Sequence, residues 1–215
     1  MKGYYMNNKL IEIIRNDNEL NTLLMHECDI YFYPCSQEVQ FSNNHEVYSM
    51  VCKAFAGDSS GGEYVFLEDH SIGFISSEGE IGRVAENLED LLTFLLHAGY
   101  IFDFNCKYLY RNQDFLRAYC NGYLLKTRKD YQSENRDWDE VRSTIAKQLS
   151  LSFDPNGLID LALKFYKAAS RMPLFSCKYD DNGEEFTCDS ILSDIMGMWM
   201  FEIAGISKDE FDRYK

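Results

Sequence analysis

Proline is scarce, at three in 215 residues, which excludes a chain organised by proline-rich linkers. No internal repeat and no low-complexity segment is present either. Long apolar runs are missing as well: no stretch reaches the roughly eighteen residues a membrane span needs. The opening Met1–Asn21 lacks a basic start, an apolar run and a small-residue cleavage site. We therefore expect a cytoplasmic protein with no membrane partner. The seven cysteines are odd in number and contain no Cys-x-x-Cys pair, so they read as reduced thiols. His26 and Cys28 lie close together, but no further ligand follows at zinc spacing. No metal and no cofactor is expected.

Basic residues are also short. Lys and Arg number 21 against 35 Asp and Glu, a formal net charge of −14. Neutralising a phosphate backbone requires clustered cations, so nucleic acid is excluded as a partner. The acidity is uneven: residues 57–100 hold nine acids against one base, Arg83, and supply −8 of the −14. Residues 101–150 carry seven acids and nine bases.

What is present is a globular composition, 46% hydrophobic and 15% aromatic, long enough to bury a full core as one large domain or a small domain with an extension. Leu10, Ile13 and Ile14, then Leu20, Leu23 and Leu24, recur at helical spacing and predict one broken or two short helices before about residue 27. Ile30–Tyr33, Val47–Ala54, Tyr64–Leu67, Ile72–Ile75 and Gly82–Ala85 read as strands. Asn87 can cap a helix whose inner stripe is Leu88, Leu91, Leu92 and Leu95, ending at Gly99. From residue 101 the pattern turns helical. Asp137 opens a helix through Trp138, Val141, Ile145 and Leu149, and Asp154-Pro155 opens another through Leu158, Leu161, Ala162 and Phe165. A hairpin over Phe175–Cys188 turns on Asn182-Gly183. Beyond it we expect a helix through Ile191, Ile195 and Trp199, and a capping box at Ser207–Glu210.

The stretch GDSSGGEYVFL, residues 57–67, is the first place to look for chemistry. A phosphate-binding loop would end in Gly-Lys followed by Ser or Thr, yet Glu63 follows the glycines here, and Asp58 and Glu63 would repel phosphate. A serine nucleophile would need an elbow of the Gly-x-Ser-x-Gly kind, which is absent. The remaining reading is a tight turn in which Gly57, Asp58, Gly61 and Gly62 let the chain enter the next strand. Glu78 and Glu80 form an acid pair that could serve a hydrolase, although a charged edge is the ordinary explanation.

Taken together, Phe55-Ala-Gly-Asp-Ser-Ser-Gly-Gly62, Leu67, Gly73-Phe-Ile75, Ser77-Glu-Gly79, Arg83-Val-Ala85 and the capped helix with Phe94 resemble the SUKH superfamily. That superfamily contains Smi/Knr-type fungal regulators and many bacterial immunity proteins. The resemblance covers residues 45–98, and residues 100–215 fall outside it. It implies an α+β fold with a mixed or antiparallel sheet flanked by helices over residues 1–100. Residues 101–215 would be a mainly helical C-terminal extension with one hairpin, packed on the first half as a single globular unit.

The function implied is non-catalytic: an immunity protein that neutralises a bacterial polymorphic toxin of the nuclease type by stoichiometric binding. The partner would be a cognate toxin with a basic surface, and the protein itself a monomer or weak homo-oligomer. The acids would mimic a phosphate array and steer association. On this reading Glu63, Glu68, Asp69, Glu78 and Glu80 face the partner, with Tyr64 and Phe66 as aromatic anchors. For the aromatics the alternative is core packing, and for the acids a solvated rim. The alternative function is a regulatory adaptor that binds an endogenous protein.

Overall fold

The computed structural model describes residues 9–39, 45–207 and Asp209. In chain order its elements are α1 (Lys9–Arg15), α2 (Asn18–Cys28), β1 (Tyr31–Gln37), β2 (Val47–Tyr48), β3 (Cys52–Gly57), β4 (Glu63–Leu67), β5 (Ile72–Ile75), β6 (Glu80–Ala85), α3 (Leu88–Ala98), α4 (Gln113–Ser133), α5 (Trp138–Gln148), α6 (Leu158–Ser170), β7 (Cys177–Asp181), β8 (Glu184–Thr187), β9 (Asp189–Ser190) and α7 (Met198–Ala204). The protein is α+β. It divides into two compact units: residues up to Leu92 with Lys167–Ile191, and Thr93–Tyr166 with the residues from Leu192 onward. The β7–β8 hairpin, which sequence order places with the helical half, therefore groups with the sheet.

In the first unit a six-stranded sheet runs in the order β1-β3-β4-β5-β6-β9. Its neighbours are antiparallel except β6 and β9, which pair in parallel. Strands β2, β7 and β8 form a second, smaller sheet. Helix α2 starts where Asp17 accepts a hydrogen bond from the Leu20 N–H at 3.0 Å, and it is anchored to β1 by buried Asn21. The Asn21 side chain accepts from the Phe32 N–H at 2.8 Å and donates to the Phe32 carbonyl at 3.0 Å, so the edge of β1 is satisfied by a side chain. Helix α3 is capped by Asn87, which accepts from the Asp90 N–H at 2.9 Å. Its leucines 88, 91, 92 and 95 are buried, each contributing about 2 kcal/mol through removal of apolar surface from water.

The second unit is built on aromatic packing. Phe94 stacks on Phe165 at 5.2 Å and meets Phe104 edge-on at 5.5 Å. His97 is buried with its ring nitrogens 2.7 Å from the Thr93 carbonyl and 2.9 Å from the Asp154 carbonyl; burial, more than anything else, holds its pKa down. Asp137 caps α5 by accepting from the Glu140 N–H at 2.9 Å. Arg128 grips Asp139 with two bonds, 2.9 and 3.1 Å, and donates to the Pro155 carbonyl at 2.8 Å.

Two expected elements come out differently. The strand predicted over Val47–Ala54 is broken between β2 and β3, because Ser49 pairs with a remote segment: its N–H donates to the Ser176 carbonyl and its hydroxyl to the Leu174 carbonyl. The helix predicted through Ile191, Ile195 and Trp199 shrinks to α7. Residues 189–190 instead pair with β6, and the Ile191 N–H donates to the Ile81 carbonyl at 2.8 Å. A Cβ at Gly82 would lie 2.2 Å from Ile191, so the bare glycine is what admits this pairing. The capping box at Ser207–Glu210 lies outside the described residues.

Candidate functional site

The glycine-rich stretch forms the turn between β3 and β4. Asp58 accepts from the N–H groups of Ser60 (3.0 Å) and Gly62 (2.7 Å), and its own N–H donates to the Gly62 carbonyl. Burial pushes the Asp58 carboxyl up, although these backbone donors partly offset it. Gly61 has φ +89°, a left-handed conformation that glycine adopts at no steric cost. At Gly62 a Cβ would lie 2.5 Å from the Phe74 ring. Gly57 stands next to Tyr33, whose hydroxyl donates to the Glu63 carboxylate at 3.4 Å. Burial first, then Glu63, pushes the Tyr33 phenol up to about 12.

Strand β4 is buried along its whole length, Glu63 included, and this corrects the assignment of Tyr64 and Phe66 as partner anchors and of Glu63 as an outward-facing acid. Phe66 stacks on Phe55 at 4.2 Å and Tyr64 packs on Phe74 at 4.7 Å. The other face, Val65 and Leu67, shares a core with Phe175 and Cys177. A segment more than a hundred residues away in sequence covers this second face, so neither side of the strand is open.

The acids separate as well. Glu68 and Asp69 lie in the β4–β5 turn, and Glu78 in the β5–β6 turn, with Glu80 at the start of β6. The four-residue β5 lies between the two turns, so the pairs stand about 13 Å apart, at opposite ends of the strands. They do not form one patch.

At the first end Asp69 is exposed but tied to the fold. It takes hydrogen bonds from the Ser71 N–H (3.1 Å) and hydroxyl (2.5 Å), and from Arg83 (3.1 Å) and Arg171 (2.9 Å). The Arg83 side chain is fully buried and also donates to Ser71 (2.8 Å) and to the carbonyls of Arg171 (3.1 Å) and Pro173 (3.2 Å). Arg171 pairs in turn with Glu86 at 3.0 Å. Burial raises the Asp69 pKa, but the bonds from Ser71 and Arg171 and the charge of Arg83 outweigh it and hold the carboxyl at about 2. Asp69, assigned from sequence to a partner surface, is engaged in structural ion pairs with Arg83 and Arg171 while remaining exposed. Exposed Glu68 lies at this same end.

The other end opens into a cleft of about 580 Å3. Four carboxylates line it, Glu46, Glu63, Glu78 and Asp189, and among the described residues no Lys, Arg or His does. Tyr48 and Tyr179 add aromatic wall, and Ser76, Ser77, Thr187, Cys177 and Cys188 add further polar lining. Ser76 organises the rim: its hydroxyl accepts from the N–H groups of Glu78 (3.1 Å) and Glu80 (3.2 Å) and donates to the Glu80 carboxylate. Glu80 thus braces the turn beside the cleft. Sequence reading missed Glu46, immediately before β2, and Asp189 of β9, which reach the cleft only through sheet pairing.

No family model, curated protein or solved structure matches the chain. Function therefore rests on the site itself. Among the described residues no three His, Cys, Asp or Glu side chains are grouped to hold a metal ion. No described helix is long and apolar enough to cross a membrane. What the cleft offers chemically is a concave, aromatic-walled surface of one sign of charge, suited to a cationic ligand.

Proposed function

We propose that the protein is a non-catalytic binding protein whose acidic cleft receives a basic segment of a protein partner. Following the resemblance drawn from residues 45–98, we propose that the partner is a bacterial toxin which the protein neutralises by stoichiometric complex formation. The observation that carries the reading is the concentration of Glu46, Glu63, Glu78 and Asp189 in one cleft lined by no basic side chain among the described residues. The element order around it, a glycine turn, a hairpin, a third strand and a leucine-lined helix, supports the resemblance. A single-signed, partly enclosed surface focuses its field and accelerates encounter with an oppositely charged partner.

The decisive experiment is co-expression with a toxin encoded beside the gene. The native chain should protect the host and co-purify with the toxin, and the double variant E78K/D189K should lose both properties while remaining folded. Full protection by that variant removes the cleft from the interface.

A further inference from the structure

Two of the cysteines are placed for chemistry by the hairpin itself. Strands β7 and β8 are joined through Asn182 and Gly183, with φ of 56° and 88°. Both are left-handed, as a tight two-residue hairpin turn requires. That turn pins the register, which runs from Asp181 opposite Glu184 to Lys178 opposite Thr187. One residue further, Cys188 donates its N–H to the Cys177 carbonyl at 2.9 Å. Residues opposed in this way have Cα atoms about 5.5 Å apart, within the roughly 4.4–6.8 Å that a disulfide bridges. The two side chains lie on one face, as opposed residues of an antiparallel pair do, and both line the acidic cleft.

We propose that Cys177 and Cys188 are a redox-convertible dithiol, which a small disulfide such as glutathione disulfide turns reversibly into a cross-strand disulfide in the cleft wall. Cys188, the more accessible of the two, reacts first. Its thiolate attacks one sulfur of glutathione disulfide, forming a mixed disulfide and releasing one glutathione thiolate. Cys177 then gives up its proton to solvent, and its sulfur attacks Cys188 Sγ and expels the second glutathione. Two protein thiols are oxidised and one glutathione disulfide is reduced to two thiols. Burial pushes both thiols up, Cys177 to about 12, so the reactive thiolate is scarce near neutrality. Conversion is accordingly slow at neutral pH and quickens about tenfold per pH unit as the thiolate fraction grows. The inference does not depend on what the cleft binds.

The test equilibrates the whole protein with glutathione buffers of rising disulfide content, traps free thiols by alkylation, and maps linkages without reduction. The expected product is a Cys177–Cys188 crosslink, reversed by dithiothreitol and formed faster at higher pH. C188S should form no such link, and C177S should stop at a mixed disulfide on Cys188. Phenylarsine oxide, which grips paired thiols, should bind the native chain at this site and lose that binding in C188S. The proposal is overturned if folded protein in oxidising buffer keeps both cysteines alkylatable or carries separate glutathiones on them. C188S changes a residue outside the fully buried core, so the comparison holds even if C177S fails to fold.

Discussion

The two ends of the β4–β5–β6 meander differ in what surrounds their acids. Glu68, Asp69 and Glu86 lie at one end, and Glu63, Glu78 and Glu80 at the other. At the first, Arg83 from β6 and Arg171 from the chain after α6 neutralise Asp69 and Glu86, and the charge is spent on holding the fold. At the second, the chain returns as β7, β8 and β9 and brings Asp189, while β2 lies beside Glu46. Returning chain thus supplies cations to one end and further acid to the other. Acid density along the sequence does not separate a structural ion-pair cluster from a recognition cleft; the sign of what packs against the acids does.

The largest expected effect that tests this contrast is at Arg83. R83M removes a buried guanidinium and leaves the Pro173 and Arg171 carbonyls and Asp69 short of donors, so denaturant unfolding should show a loss of about 3 kcal/mol or more. A stability near that of the native chain would mean the first end is not held by its ions. G62A should follow at about 1–3 kcal/mol, since its Cβ would press on Phe74 at 2.5 Å and on the Ile75 carbonyl at 3.1 Å. If it were neutral, the glycine turn would not be shaped by close approach.

Acid titration sharpens the contrast further. Asp69 has a folded pKa of about 2 against about 3.9 unfolded. Its depressed value therefore contributes stability that is complete above about pH 4 and is lost as pH falls through about 2. In D69N that acid-side decline should be shallower, which urea unfolding across this range would measure. The smallest effect on stability belongs to the cleft: E78K/D189K should change it by no more than about 0.5 kcal/mol. Its association with a basic partner should nevertheless slow and become less sensitive to salt. Equal damage to folding at both ends would erase the distinction.

Much of the local structure was legible. Strand β5 falls on the predicted residues, β4 begins one residue earlier, and the caps at Asn87 and Asp137 form as their spacing implies. Helix α4 was not singled out. Its buried face mixes Phe115, Leu116, Tyr119, Cys120 and Leu124, and Gly122 reads as a breaker. The structure uses that glycine for contact, since a Cβ there would lie 1.8 Å from the Ile203 carbonyl. Within the candidate site, Glu63 and Glu78 were legible as acids beside a turn. Tyr64 and Phe66 were misplaced because alternation does not tell which face of a strand is open, and here neither is: Phe55 and Phe74 pack on their side and Phe175 on the side of Val65 and Leu67.

The amino-acid sequence by itself determined the elements whose causes lie within a few residues: helical periodicity, side-chain caps, the Asn182-Gly183 turn, and the excess of negative charge with its concentration in residues 57–100. Only the tertiary structure decided which carboxylates were neutralised, which aromatics were covered and which cysteines came face to face. Each of those outcomes depends on segments such as Arg171 and Asp189, whose approach is set by strand pairing and packing across the chain, and local propensity carries no information about such distant partners.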